Sequence, residues 1–175
     1  EFASQKWLYD MTEYVEAKKD QYIPATLETI KYDDKYWGSP RTSDAAFLYY
    51  HTDKVKSAPA TWQAVYDEAA KQDGIVYQGA AYEGLTCDFL ELAFAAGGTV
   101  LSEDGSKAEF NSPENEKALQ FMVDGIKNGA APKAVTTYME EESRMAFEAN
   151  RATFMRNWPY AYATGKKNKN APDFD

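Results

Sequence analysis

The sequence predicts an α/β fold, and three observations carry that reading. Segments of helical period alternate with short β-branched runs, as where "GIVYQG" (74–79) precedes "EGLTCDFLELAFAA" (83–96). Two helix starts carry capping chemistry, at Thr61 and at the pair Ser112–Pro113. Hairpin signals, Asp33–Asp34 and Asp104–Gly105, stand between the alternating elements.

Taken in order, "SQKWLYDMTEYVEAK" places Trp7, Leu8, Met11 and Val15 at helical spacing, with Ser4 as the expected N-cap. After Pro24, "TIKYDDKYWGSP" reads as a hairpin turning at Asp33–Asp34. "AAFLYYHT" is an aromatic-rich apolar run suited to a buried strand, and "DKVKSAPA" is a turn region. Thr61 caps a helix with Trp62, Val65, Tyr66 and Ala69 on one face. The next strand is "GIVYQG", and a mostly buried helix follows from Glu83 to Ala96, ended by Gly97–Gly98. Beyond the hairpin at Asp104–Gly105, Ser112–Pro113 opens a helix with Leu119, Met122, Val123 and Ile126 as its apolar face. A last helix is expected from Thr137, with Glu140 completing a capping box, to Ala149. "ATFMRNW" then reads as a strand that runs into "RNWPYAYATG".

Composition excludes several functions. With 28 acidic against 19 basic residues the net charge is -9, which argues against a nucleic-acid or anionic-membrane surface. The one basic run, "KKNKN" at Lys166–Asn170, reads as a solvated tail. A single cysteine, Cys87, precludes an internal disulfide or a Cys cluster, and inside an apolar helix it reads as a buried small hydrophobe. A single histidine, His51, precludes multi-His metal sites and is assigned no function, so no cofactor is expected. No stretch approaches the ~20 apolar residues of a membrane span. The chain opens at "EFASQKWL" without an initiating Met or signal peptide, as expected of a processed or excised segment. Thirteen Tyr and four Trp suit partly wet binding surfaces as well as cores.

The order of these signals resembles a known family. "YDDKYWGSPRTSDAAFLYYHTDKV" followed by "APATWQAVYDEAAK" is similar to the mid-chain signature of the family 1 extracellular solute-binding proteins of ABC importers. "MAFEANRATFMRNWPYAYA" resembles the family's later signature, with Asn150 where glycine is usual, a departure that bears on that turn's φ angle. "YQGAAYEGLTCDFLELAFAAGG" and "NWPYAYA" narrow the resemblance to the trehalose/maltose-binding branch. The resemblance implies a periplasmic-binding-protein-like (type II) fold, of which this chain is a middle portion. Residues 1–43 are then a partial N-terminal-lobe segment and crossover, 44–158 a C-terminal-lobe segment, and 159–175 a return crossover and tail. It also implies a sugar ligand, membrane permease partners, and an extracytoplasmic setting, periplasmic or lipoprotein-anchored.

Sugars are held by aromatic rings on their C–H faces and by planar polar groups on their hydroxyls, for which carboxylates are strong acceptors. Trp158 ends a predicted strand. From the residues alone it is either core or platform, and the resemblance implies a stacking platform, with Pro159 fixing the chain after it. Tyr160 and Tyr162 share a strand parity distinct from Ala161, so one of them could line the site. The resemblance gives Asp44 a sugar-bonding carboxylate, against a turn or N-cap role. It places Thr42 where the branch often has an aromatic. Tyr82 and Glu83 open a helix and are further ligand candidates, against a simple dipole role for Glu83. Arg41 reads as a surface-pairing residue. Glu140 to Glu142 point in different directions around a helix and read as capping and solvated. The alternatives are a glycoside hydrolase fragment using Asp44 and Glu83, or a protein-interaction module. Uncovered apolar surface at Trp7, Leu8 and Tyr36 is expected to favour dimers or segment swaps.

Overall fold

Asp33 and Asp34 both adopt positive φ, 52° and 55°, the backbone a two-residue type I′ turn requires. They join β1 (Lys31–Tyr32) to β2 (Lys35–Tyr36) as the sequence predicts, in antiparallel register with Lys31 opposite Tyr36. The computed structural model describes residues 1–175 and divides the chain into two compact units, Glu1–Asp44 and Ala45–Asp175. The first unit packs Val15, Leu27 and Tyr36 together, flanked by Met11, Tyr22 and Ile30. Tyr36 is therefore core, while Trp7 and Leu8 are exposed as expected. Helix α1 spans only Thr12–Glu16. Ser4 instead closes a local turn by donating to the Glu1 carbonyl, and Lys6 takes a positive φ that interrupts any helical path. Asp10 accepts from the Thr12 amide and so supplies the start that Ser4 does not. A second short helix, α2 (Pro24–Glu28), opens on Pro24, whose fixed φ suits a first helical position.

The second unit is built on a three-stranded sheet ordered β3 (Phe47–Tyr50), β5 (Phe154–Asn157), β4 (Ile75–Val76). Strand β5 is central, antiparallel to β3 with Arg156 opposite Leu48, and parallel to β4 with Phe154 opposite Ile75. The last residues return along the outer side of β3, where Tyr50 and Asp175 exchange both backbone hydrogen bonds. The core gathers Tyr49, Val65, Tyr66, Ile75, Val76, Phe147, Phe154 and Phe174. His51 is part of it: the ring is fully buried, stacks on Phe147 and donates from Nε2 to the Phe147 carbonyl.

Local chemistry explains most helix boundaries. Thr61 Oγ1 accepts the Ala64 amide at the start of α3 (Trp62–Ala69), and Ser112 Oγ accepts the Asn115 amide at the start of α5 (Pro113–Lys127). Helix α4 (Glu83–Ala95) ends at Gly97 with φ 86°, and the Gly98 amide reaches back to the Ala93 carbonyl. Helix α6 (Glu140–Glu148) begins after the predicted point. Thr137 closes a 3-10 turn over Lys133–Thr137, and the Met139 amide donates to Glu142, so the capping carboxylate is Glu142 rather than Glu140. At its far end Asn150 takes φ 59° while Arg151 bonds back to Ala146, so asparagine fills the left-handed position without glycine. The Asp104–Gly105 turn forms, but its flanks make a single bridge, Leu101 with Ala108, rather than strands.

The buried side of α5 matches the expectation at Met122 and Ile126 and differs at Leu119 and Val123. Leu119 is 54% and Val123 37% exposed, whereas Asn115, Ala118, Met122 and Gly125 face inward. Small residues decide this, because Gly125 lets α5 come so close to Tyr66 that an added Cβ would lie 2.3 Å from Cε1 of that ring. Alanine in a helix interior gains ~1 kcal/mol of propensity over glycine, but overpacking a core contact costs about 1–3 kcal/mol. We expect Gly125→Ala to lower the urea midpoint of the chain; an unchanged or raised midpoint would contradict this packing.

Candidate functional site

The end of β5 carries the candidate site residues Trp158 and Tyr160. Strand alternation puts Phe154, Arg156 and Trp158 on one side and Met155 and Asn157 on the other. Asn157 is fully buried and binds two ways: Nδ2 donates to the Glu140 carbonyl and Oδ1 accepts the Trp158 amide at 2.8 Å. The Trp158 carbonyl accepts the Tyr49 hydroxyl at 2.9 Å, and its indole Nε1 donates to Glu140 Oε1 at 3.2 Å. The Trp158 ring is half-buried, with the Arg156 guanidinium 4.0 Å from its centroid. The ring is held at its edge and on one face, and it is not part of the buried core cluster.

Arg156 is 2% exposed in a central strand, and a buried cation is tolerated only with partners. Asp88 and Glu91, one turn apart on α4, supply them. Asp88 Oδ1 lies 2.9 Å from Arg156 Nε as an ion pair without an aligned hydrogen bond, and Glu91 accepts from Nε and Nη2. Gln78 accepts from Nη1 at 2.7 Å and donates back to the Arg156 carbonyl. Asp88 also accepts the Gln78 amide. Burial, partly offset by Arg156 and reinforced by Glu91, pushes the Asp88 carboxyl up to about 7.

Pro159 does not continue the strand. It turns the chain into α7 (Tyr160–Gly165), so the strand parity expected for Tyr160 and Tyr162 does not apply. Tyr160 donates to Glu141 Oε1 at 2.7 Å, and Glu141 is held in turn by Arg144. Tyr162 rests edge-on against Phe174. Burial raises the Tyr160 phenol well above its usual range, and the adjacent Glu141 carboxylate adds to this, so the group remains an O–H donor. Tyr82 folds its ring over Gly84, where an added Cβ would meet its hydroxyl at 2.3 Å. That hydroxyl is buried without a partner, and burial with Glu140 nearby raises its pKa well above the usual value.

The candidates therefore separate. Trp158 and Tyr160 are joined through the first turn of α6, and Tyr82 lies beside Glu140. Glu83 is exposed and takes a contact from Cys87 Sγ at 2.9 Å; Cys87 is half-buried rather than enclosed. Asp44 and Thr42 are exposed and belong to the first unit. Glu140 and Glu141, read from the sequence as capping and solvated, instead anchor the two aromatics. Arg156, Asp88, Glu91 and Gln78 were not singled out; the available signal was an Arg two residues before Trp158 in a strand and two carboxylates three apart on an otherwise apolar helix. No three His, Cys, Asp or Glu side chains converge as a metal site. No helix is long and apolar enough to cross a membrane. The deeper apolar groove of the second unit lies between α4 and α5, lined by Leu85, Phe89, Phe110, Leu119 and Met122. Glu116 also lines that groove, and Trp158 lies outside it.

Residues 1–175 match throughout the family model of the bacterial extracellular solute-binding proteins. The chain belongs to that family. A probable ABC transporter-binding protein of Deinococcus radiodurans is 38% identical over 177 residues, covering 91% of this chain and 42% of the relative. The solved maltose-bound MalE3 of T. maritima is 40% identical with a TM-score of 0.83, covering 93% of this chain and 44% of that one. A solute-binding protein of Thermotoga lettingae with bound α-D-tagatose is 27% identical with a TM-score of 0.84, covering 96% of this chain and 47% of that one. The fold is thus that of the solute-binding proteins, and the chain spans less than half the length of these relatives.

The Arg156 cluster makes a checkable pH dependence. Between pH 4 and 7 the folded state keeps a proton on Asp88 that the unfolded chain has lost, so this group's contribution to stability falls as pH rises through that window. Asp88→Asn removes the titration. The stability of the parent minus that of the variant, from urea melts, is expected to decrease from pH 4 to 7; a flat or rising difference would contradict the burial argument.

Proposed function

We propose that this chain is part of the sugar-binding component of an ABC importer, taking an α-linked glucoside disaccharide or short oligosaccharide of the trehalose/maltose kind. The observation that carries the reading is the Trp158 ring, held at its edge by Glu140 and on one face by Arg156 without being fully buried. Such a ring can cover the C–H face of a pyranose, and the free oxygen of Glu140 and the phenol of Tyr160 can meet its hydroxyls. The likeness to a maltose-bound relative at 40% identity supports the sugar class.

In this reading residues 1–43 belong to the N-terminal lobe and its crossover, 44–158 to the C-terminal lobe, and 159–175 to the return crossover and tail. The boundary between compact units at Asp44–Ala45 supports the first division. Asp44, Thr42, Tyr82 and Glu83 are proposed as further ligand contacts in the whole protein. The sugar bridges two lobes and stabilises the closed form by its differential affinity. Delivery is to membrane permease subunits on the outer face of the cell, from the periplasm or a lipid anchor, and no bond of the sugar is broken. Exposed Trp7 and Leu8 support association of this chain into dimers or swapped pairs.

The isolated 175-residue chain is expected to bind maltose only in the millimolar range, about -4 kcal/mol, because one wall of a site loses the closure contacts. Micromolar binding by calorimetry would contradict this. In the full-length protein, Trp158→Ala is expected to weaken maltose binding about ten- to a hundredfold, by analogy with the ~1–3 kcal/mol of base–aromatic stacking. A core tryptophan would instead cost about 3–5 kcal/mol of stability. A large loss of stability with unchanged affinity would overturn the platform reading.

A further inference from the structure

We propose that Arg156 is a positioning residue, whose guanidinium, locked against the Trp158 ring by Asp88, Glu91 and Gln78, sets the plane of the indole and assigns its opposite face to the ligand. The inference rests on the platform reading of Trp158 and deepens it by naming what holds the platform. A tryptophan side chain has two torsions, and the structure supplies two restraints. Glu140 fixes the ring edge through Nε1, and Arg156 fixes one face at 4.0 Å from the centroid.

The arginine is itself built for this contact. Its N–H groups donate to Gln78 from Nη1 and to Glu91 from Nη2 and Nε, while Asp88 adds an ion pair beside Nε. With all three nitrogens bonded at the edge, a flat face remains for packing, a geometry that a lysine ammonium cannot reproduce. The partners come from two places in the chain, the segment after β4 and α4, so the guanidinium is tied to the sheet and to the helix packed on it. Glu91, joined by Asp88 where it is ionised, also prevents the ring from lying over an uncompensated positive charge, which would draw density from the face left for sugar C–H groups. An arginine serving folding alone needs its acceptors but has no need of the indole.

The test begins without ligand. In a chain whose Trp7, Trp37 and Trp62 are replaced by phenylalanine, fluorescence reports Trp158 alone. Arg156→Lys keeps the charge and removes the planar fork. Should that variant not fold, Arg156→Met with Asp88→Asn and Glu91→Gln removes the cluster together, leaving no unpaired buried ion. In a variant that is folded by circular dichroism, acrylamide quenching of Trp158 is expected to rise about twofold or more, with lower anisotropy, as the ring loses its flat guanidinium contact. Unchanged quenching and anisotropy would overturn the proposal. In the full-length protein, titrated with maltose, Arg156→Lys is expected to weaken binding about tenfold, and to add little in a Trp158→Ala background, because the two act as one unit. Additive losses would show that Arg156 acts apart from Trp158 and overturn the proposal. If Trp158→Ala leaves maltose affinity intact, the platform reading fails instead, and the quenching result alone decides the clamp.

Discussion

A guanidinium buried in the central strand of the sheet is the constraint around which the second unit is arranged. A lone cation there is prohibitively costly, so Arg156 can occupy β5 only if α4 delivers Asp88 and Glu91 and the segment after β4 delivers Gln78. Those requirements fix the rotation of α4 against the sheet. They also fix the side of β5 on which residue 158 emerges. The indole then sits at a defined place because the charge beneath it does.

The first turn of α6 completes the arrangement by sending three adjacent carboxylates to three tasks. Glu142 satisfies the amide at the helix start, Glu141 receives Tyr160 and Arg144, and Glu140 receives the Trp158 indole. Consecutive helical positions diverge, which rules out convergence on one bond and permits this division. Asn157 joins the same turn to the strand end, so Trp158 and Glu140 are placed together rather than independently.

Elements written in local chemistry were legible in the sequence. The Asp33–Asp34 turn, the caps at Thr61 and Ser112, and the helix end at Gly97 each depend on residues within one turn of one another. Local pattern misled where two starts competed: Ser4 and Thr137 bond within their own turns, and the helices open at Thr12 and Glu140. The inward face of α5 was misjudged because hydrophobicity pointed to Leu119 and Val123, while the close approach of Tyr66 selects Gly125. At the site, Trp158 and Tyr160 stood out as aromatics next to a proline. Their anchors did not, because Arg156 meets Glu91 across 65 positions and Gln78 across 78, separations no local pattern encodes.

In the proposed function, one face of the Trp158 ring is the surface a sugar meets. The most direct measurement is nuclear magnetic resonance on the full-length protein saturated with maltose, with the indole resonance of Trp158 assigned by comparison with Trp158→Phe. Intermolecular Overhauser contacts are expected from the Trp158 ring protons to pyranose C–H protons, with the Glu140-bonded Nε1 proton retained. Bound maltose that shows contacts to other aromatic rings and none to Trp158 would contradict it.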